Sequence, residues 1–177
     1  MPGGFGLGSG VKGLADFGNP AALGRRVRRY GRAIADDLGL AAFDLFEINA
    51  GDVMLTNLYG IVTTLIAGAA TPQLQFTPDS NAGGITPMCA IITPTGNWDT
   101  DAVDTIYCWD GTVAGNLDPA TGVGIGIASF GTNFQILAPG VISLTNAGDV
   151  CTAGVVDWVL HYVPLDTDSV VIPIYTV

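Results

Sequence analysis

The stretch Val155-Val156-Asp157-Trp158-Val159-Leu160-His161-Tyr162-Val163 decides the fold. It is rich in β-branched and aromatic residues and has no glycine or proline, the composition of a strand. A strand's period of two puts Val156, Trp158, Leu160 and Tyr162 on one face, where they are expected to form core or body-to-body contacts. Asp157 and His161 fall together on the other face. At strand rise they lie about 13 Å apart, too far for a direct hydrogen bond. His161 therefore reads as a surface or interface histidine rather than part of a catalytic triad.

The rest of the chain after Leu40 repeats this pattern in shorter pieces. Phe43 to Asn49 reads as a strand closed by the turn Ala50-Gly51-Asp52. Val53 to Leu55 and Leu58 to Ile66 read as two further strands, and Gln73 to Phe76 alternates polar with apolar residues. Met88 to Ile92 fits either a strand or one helical turn. Ala102 to Trp109 alternates and ends at Asp110-Gly111, a hairpin-type dipeptide. Val123 to Ala128, Phe134 to Leu137, Val141 to Leu144 and Val170 to Tyr175 are apolar segments between Gly, Asn, Asp and Pro turns. About nine or ten short strands at such spacing predict an all-β fold, an antiparallel sandwich or barrel.

Charge is distributed with a sharp boundary. All six basic residues, Lys12, Arg25, Arg26, Arg28, Arg29 and Arg32, precede Ala33, and only Asp16 offsets them. The other 15 acids follow, so residues 33–177 contain no cation except what His161 could carry. An acidic body of this kind depends on solvent, metal ions or a basic surface elsewhere, such as an arginine-bearing arm. The chain is 49% hydrophobic, only 12% charged, and has a mean hydropathy of +0.46. It has too few charges to cover its surface, which favours contact with other protein. The net charge of -10 excludes a basic nucleic-acid module for most of the chain.

These boundaries predict two regions: a basic N-terminal arm over residues 1–40 and an acidic body over 41–177. Within the arm, Pro20 to Leu38 could form a short helix with Asn19 as N-cap, or remain irregular because Gly24 and Gly31 interrupt it. Arg25, Arg26, Arg28, Arg29, Tyr30 and Arg32 are the candidate partner-binding residues. Docking on acidic protein, including neighbouring copies, is favoured over contact with packaged nucleic acid, because the patch is short and adjoins an acidic body. The N-terminus lacks the pattern of a signal peptide, and the longest apolar run, Leu58 to Ala70, is too short to cross a bilayer.

No constellation specifies chemistry. Asp99, Asp101 and Asp104 crowd three carboxylates together, but the segment lacks the glycine and terminal glutamate of a calcium loop; a solvated turn is the expectation. Asp166 and Asp168 form a weaker pair. Cys89, Cys108 and Cys151 read as reduced thiols, and a zinc site is not expected with a single histidine. The glycine runs at residues 4–8 and 122–126 lack the lysine and hydroxyl residue of a phosphate loop. No cofactor, metal or enzymatic activity is expected.

Leu58-Tyr59-Gly60-Ile61-Val62-Thr63-Thr64, Pro72-Gln73-Leu74, the region of Cys89, Pro139-Gly140-Val141-Ile142 and above all Thr152 to Leu165 resemble a family of tailed-bacteriophage virion proteins encoded near head genes. The resemblance spans roughly 120 residues and does not include the basic segment. It implies a small β-rich head protein, a capsid decoration (cement) protein on the virion surface, whose partners are the major capsid protein and its own copies in a homotrimer. Tail, connector or head-fibre components are the structural alternatives. A carbohydrate-binding, host-attachment module is the other, with Trp98 and Trp109 as candidate sugar platforms.

Overall fold

Trp158 is fully buried between two antiparallel β-sheets, and the fold is best built outward from its strand. The computed structural model describes residues 24–31, 43–68, 70–80, 84–89, 101–109, 111–113, 117, 134–146 and 151–175. These form ten strands: β1 (Arg25–Arg29), β2 (Phe43–Asn49), β3 (Val53–Ala67), β4 (Pro72–Pro78), β5 (Thr86–Pro87), β6 (Ile106–Cys108), β7 (Gln135–Leu137), β8 (Gly140–Asn146), β9 (Ala153–Pro164) and β10 (Val170–Pro173). There is no helix among the described residues.

Sheet A has the order β1-β9-β3-β6, with β7 also paired to β3, and sheet B the order β10-β2-β8-β4-β5. The architecture is an all-β sandwich, so of the two forms anticipated it is the open pair of sheets that forms. β9 runs from Ala153 to Pro164, slightly beyond the predicted strand. Its Val156, Trp158, Leu160 and Tyr162 are buried at 3% exposure or less and join a core that includes Leu45, Phe46, Ile48, Leu58, Val62, Ile142 and Leu144. Full burial of each large apolar side chain contributes about 1.5–3 kcal/mol, so this single face of β9 anchors sheet A to sheet B.

Two differences from the sequence expectation have clear causes. The segments expected as separate strands, Val53 to Leu55 and Leu58 to Ile66, form one strand of 15 residues. Its pairing with β9 is interrupted by irregularities between Leu55 and Asn57 and again near Thr63. The extra residue at Thr56 shifts the inward parity from Val53 and Leu55 to Leu58, Gly60 and Val62, so the core face continues across the break. Conversely, Ala102 to Trp109 is a strand only at Ile106–Cys108. Asp104 has a φ of 70° in the turn before it, and Thr105, Tyr107 and Trp109 are the buried residues of the segment.

A third difference concerns Pro20 to Leu38. Its described centre is not helical: Arg25–Arg29 is an edge strand, antiparallel to β9, with Val27 opposite Leu160 and Arg29 opposite Trp158. Gly24 and Gly31, which interrupt a helix, flank this strand instead. A Cβ on Gly31 would lie 2.3 Å from the Val156 carbonyl oxygen; one on Gly24, whose φ is +92°, would lie 2.2 Å from that of Tyr162. Glycine is required where the chain runs this close to the β9 backbone. The remainder of the proposed helix lies outside the described residues.

Candidate functional site

β9 is buried on both faces. Between β1 and β3, its outward residues Asp157, Val159 and His161 are nearly inaccessible, at 6%, 0% and 5% exposure. They form a polar seam with β1 on one side and β3 on the other. Register places Arg26 beside His161 and Arg28 beside Val159; across on β3, Asn57 faces His161, Tyr59 faces Val159 and Ile61 faces Asp157.

Asp157 is the hub of the seam. One carboxylate oxygen accepts from the Arg28 guanidinium in an ion pair, and the other accepts from the Gly31 backbone N–H at 2.6 Å. That hydrogen bond and charge raise the Arg28 pKa further, and its guanidinium also sits 4.7 Å from the Tyr30 ring centroid. On the core side, Arg29 is fully buried. Its Nε donates to the Ile174 carbonyl at 2.8 Å, and its guanidinium lies over the rings of Phe43 and Tyr175. Arg25 reaches the Ser169 carbonyl at 3.4 Å. The body's need for cations is thus met in part by its own first strand.

Of the six candidate partner-binding residues, Arg25, Arg28 and Arg29 are engaged within the chain. Arg26 is exposed and makes no ion pair or hydrogen bond with a described residue; Tyr30 is 60% exposed, with its N–H donating to the Tyr175 hydroxyl. Arg32 lies outside the described residues. The segment expected as an arm separate from the body is therefore, at residues 25–29, part of the body's own sheet.

His161, anticipated at the surface or in an interface, is only 5% exposed within the single chain and so is not a surface residue. It stacks on Tyr59 with ring centroids 6.2 Å apart, and burial, then the nearby Arg26 charge, lowers its pKa. Its Nδ1 has no hydrogen-bond partner among the described residues, and neither does the Asn57 amide at its nitrogen or its oxygen. Sequence reasoning missed Asn57, which falls between the two segments read as separate strands; the bulge that sets it opposite His161 is not visible without the pairing.

Elsewhere the candidates separate. Asp101 accepts from the Tyr107 hydroxyl, whose pKa is pushed far up, chiefly by burial and then by that carboxylate. Asp104 occupies the neighbouring turn, and Asp99 and Trp98 lie outside the described residues. No group of three or more His, Cys, Asp or Glu side chains is placed to hold a metal among the described residues. Asp166 accepts from the Asp52 backbone N–H and organises the turn leading to Ser169. Trp109 is buried, and its indole N–H donates to the Met88 carbonyl at 2.9 Å, so it offers no platform to a sugar. Cys89 and Cys151 are buried thiols, Cys108 is half-buried, and none is in a disulfide.

An apolar surface completes the inventory. On β7 and just before it, Ile136 and Phe134 are 67% and 59% exposed, at the side of sheet A opposite β1. No protein-family model, curated protein or solved structure matches the chain.

Proposed function

We propose that this protein is a non-enzymatic structural subunit of a virion, a capsid decoration protein of a tailed-bacteriophage head that attaches to the major capsid protein. The observation that carries the reading is the charge boundary at Arg32: every lysine and arginine of the acidic chain precedes residue 33, and on the edge strand the Arg25 and Arg26 side chains are exposed. Such a particle binds by surface complementarity. Its basic margin meets acidic protein, and exposed apolar residues such as Phe134 and Ile136 add buried area. Because these contacts exist only in the assembled shell, they stabilise it over its dissociated parts. The stretch that most resembles phage head proteins, Thr152 to Leu165, is mostly the central strand of sheet A, so the resemblance is carried by the sandwich itself. In this role the N-terminal segment bridges neighbouring capsid subunits.

The experiment is add-back. Shells from particles lacking the protein are incubated with wild type and with Arg25→Gln/Arg26→Gln, and occupancy is measured as salt is raised. Wild type should bind and weaken with salt, and the double variant should bind at least about tenfold less well. Absence of wild-type binding to shells contradicts the proposal.

A further inference from the structure

We propose that the edge of β9 is a strand-acceptor site, and that in concentrated or assembled protein its occupant is β1 of a second copy. The inference does not depend on the virion reading.

Three observations lead to it. First, β1 adds no member to the buried apolar cluster: the described residues of that cluster lie at or after Phe43, Val27 only packs against its rim, and Arg29 is buried through polar and ring contacts. Second, β1 is held mainly by polar anchors, and any copy offers the same set. These are the Asp157 carboxylate to Arg28 and the Gly31 N–H, the Ile174 carbonyl to Arg29, and the Ser169 carbonyl to Arg25. The cations of these anchors all belong to β1, and residues 33–177 contain no lysine or arginine to replace them. The complementarity is therefore between this segment and this edge, whichever chain each comes from.

Third, the connection is longer than the path it serves. The Arg29 guanidinium lies 5.4 Å from the Phe43 ring centroid, so the end of β1 and the start of β2 are already neighbours across the sandwich. Packed sheets are about 10 Å apart. Residues 32–42 can span roughly 40 Å when extended. That surplus lets β1 reach an adjacent molecule while β2 stays in its own.

Exchange conserves every bond of the β1–β9 pairing, so concentration decides the balance. A short tether gives the strand of the same chain an effective concentration on the order of millimolar. In dilute solution β1 therefore closes on its own β9. Where copies are crowded, as on a lattice, the neighbour's edge competes, and a cyclic arrangement can satisfy every edge.

The test uses full-length protein. A chain carrying Arg26→Cys and a chain carrying His161→Cys, positions paired across the two strands, are mixed and refolded at ~1 mM and at ~1 µM, the first comparable to that effective concentration and the second far below it. They are then oxidised and analysed by peptide mass. A disulfide joining position 26 of one chain to position 161 of the other should form at the higher concentration and fall at least tenfold at the lower. The single chain with both substitutions should close on itself at the lower one. If the two-site chain cross-links internally while mixed chains never cross-link, the proposal is overturned. Should either variant fail to fold, wild type decides. Isotope-labelled and unlabelled chains refolded together at ~1 mM should show interchain proximity between Val27 and Leu160, and oligomers lacking it contradict strand exchange. No shell is involved, so this outcome and that of the add-back experiment are independent.

Discussion

Arg28 and Asp157 form an ion pair that joins the first strand of the sandwich to its ninth, and they are 129 residues apart in the chain. The carboxylate is buried while the guanidinium side chain is 37% exposed. The pair is therefore partly screened, and its importance comes as much from the Gly31 N–H held by the same carboxylate. Asp157→Asn retains one acceptor and loses the charge. It should cost about 1–2 kcal/mol in denaturant unfolding and expose Arg25–Arg29 to trypsin, with sheet B unaffected. Unchanged stability together with a trypsin-resistant segment would count against the anchor.

Gly60 faces the core where Trp158 needs room: a Cβ there would lie 2.8 Å from Val156 Cγ1 and 3.2 Å from Trp158 Cζ3. Gly60→Ala should destabilise by about 1–3 kcal/mol and change the near-ultraviolet circular dichroism as the indole shifts. A variant as stable as wild type with an unaltered spectrum would show that the site is not tightly packed.

His161 is the only histidine, which makes its titration readable by NMR without assignment. Burial and the Arg26 charge lower its pKa in the folded state, so its midpoint should lie below the ordinary 6.5. The unfolded chain then takes up the proton first. The stabilising contribution is complete above pH 6.5 and declines as pH falls through that value towards the folded pKa. The stability difference between wild type and His161→Gln should accordingly shrink on acidification. A midpoint at or above 6.5 would contradict the buried seam.

Asn57 buries both amide atoms without a partner among the described residues. Such a group is costly, by about 1–3 kcal/mol, so the near-isosteric Asn57→Leu should be neutral or raise the melting temperature. A clear loss of stability would mean that the amide does have a partner.

The sandwich was legible because its signals are local. Trp158 and its alternate neighbours declare a buried face through period two, and the Phe43–Asn49 boundary matches the turn residues that follow it. The long β3 was not legible as one strand, because the break at Thr56 resembles a loop until its pairing with β9 is known. The site was half legible. Charge segregation singled out Arg25 to Arg29, but helical and extended forms of a short arginine-rich stretch have similar intrinsic cost, and only pairing with a strand more than a hundred residues away decides between them. Buried His161 escaped for the same reason. A single strand cannot reveal that its second face is also covered.

Amide hydrogen exchange across residues 24–31 tests most directly whether the basic segment belongs to the sandwich. In wild type, the Gly31 N–H and the amides of β1 that face β9 should be protected at least about a hundredfold over a free peptide, and Asp157→Asn should remove that protection while β3 and β9 keep theirs. Exchange at free-peptide rates throughout 24–31 in wild type would contradict the account.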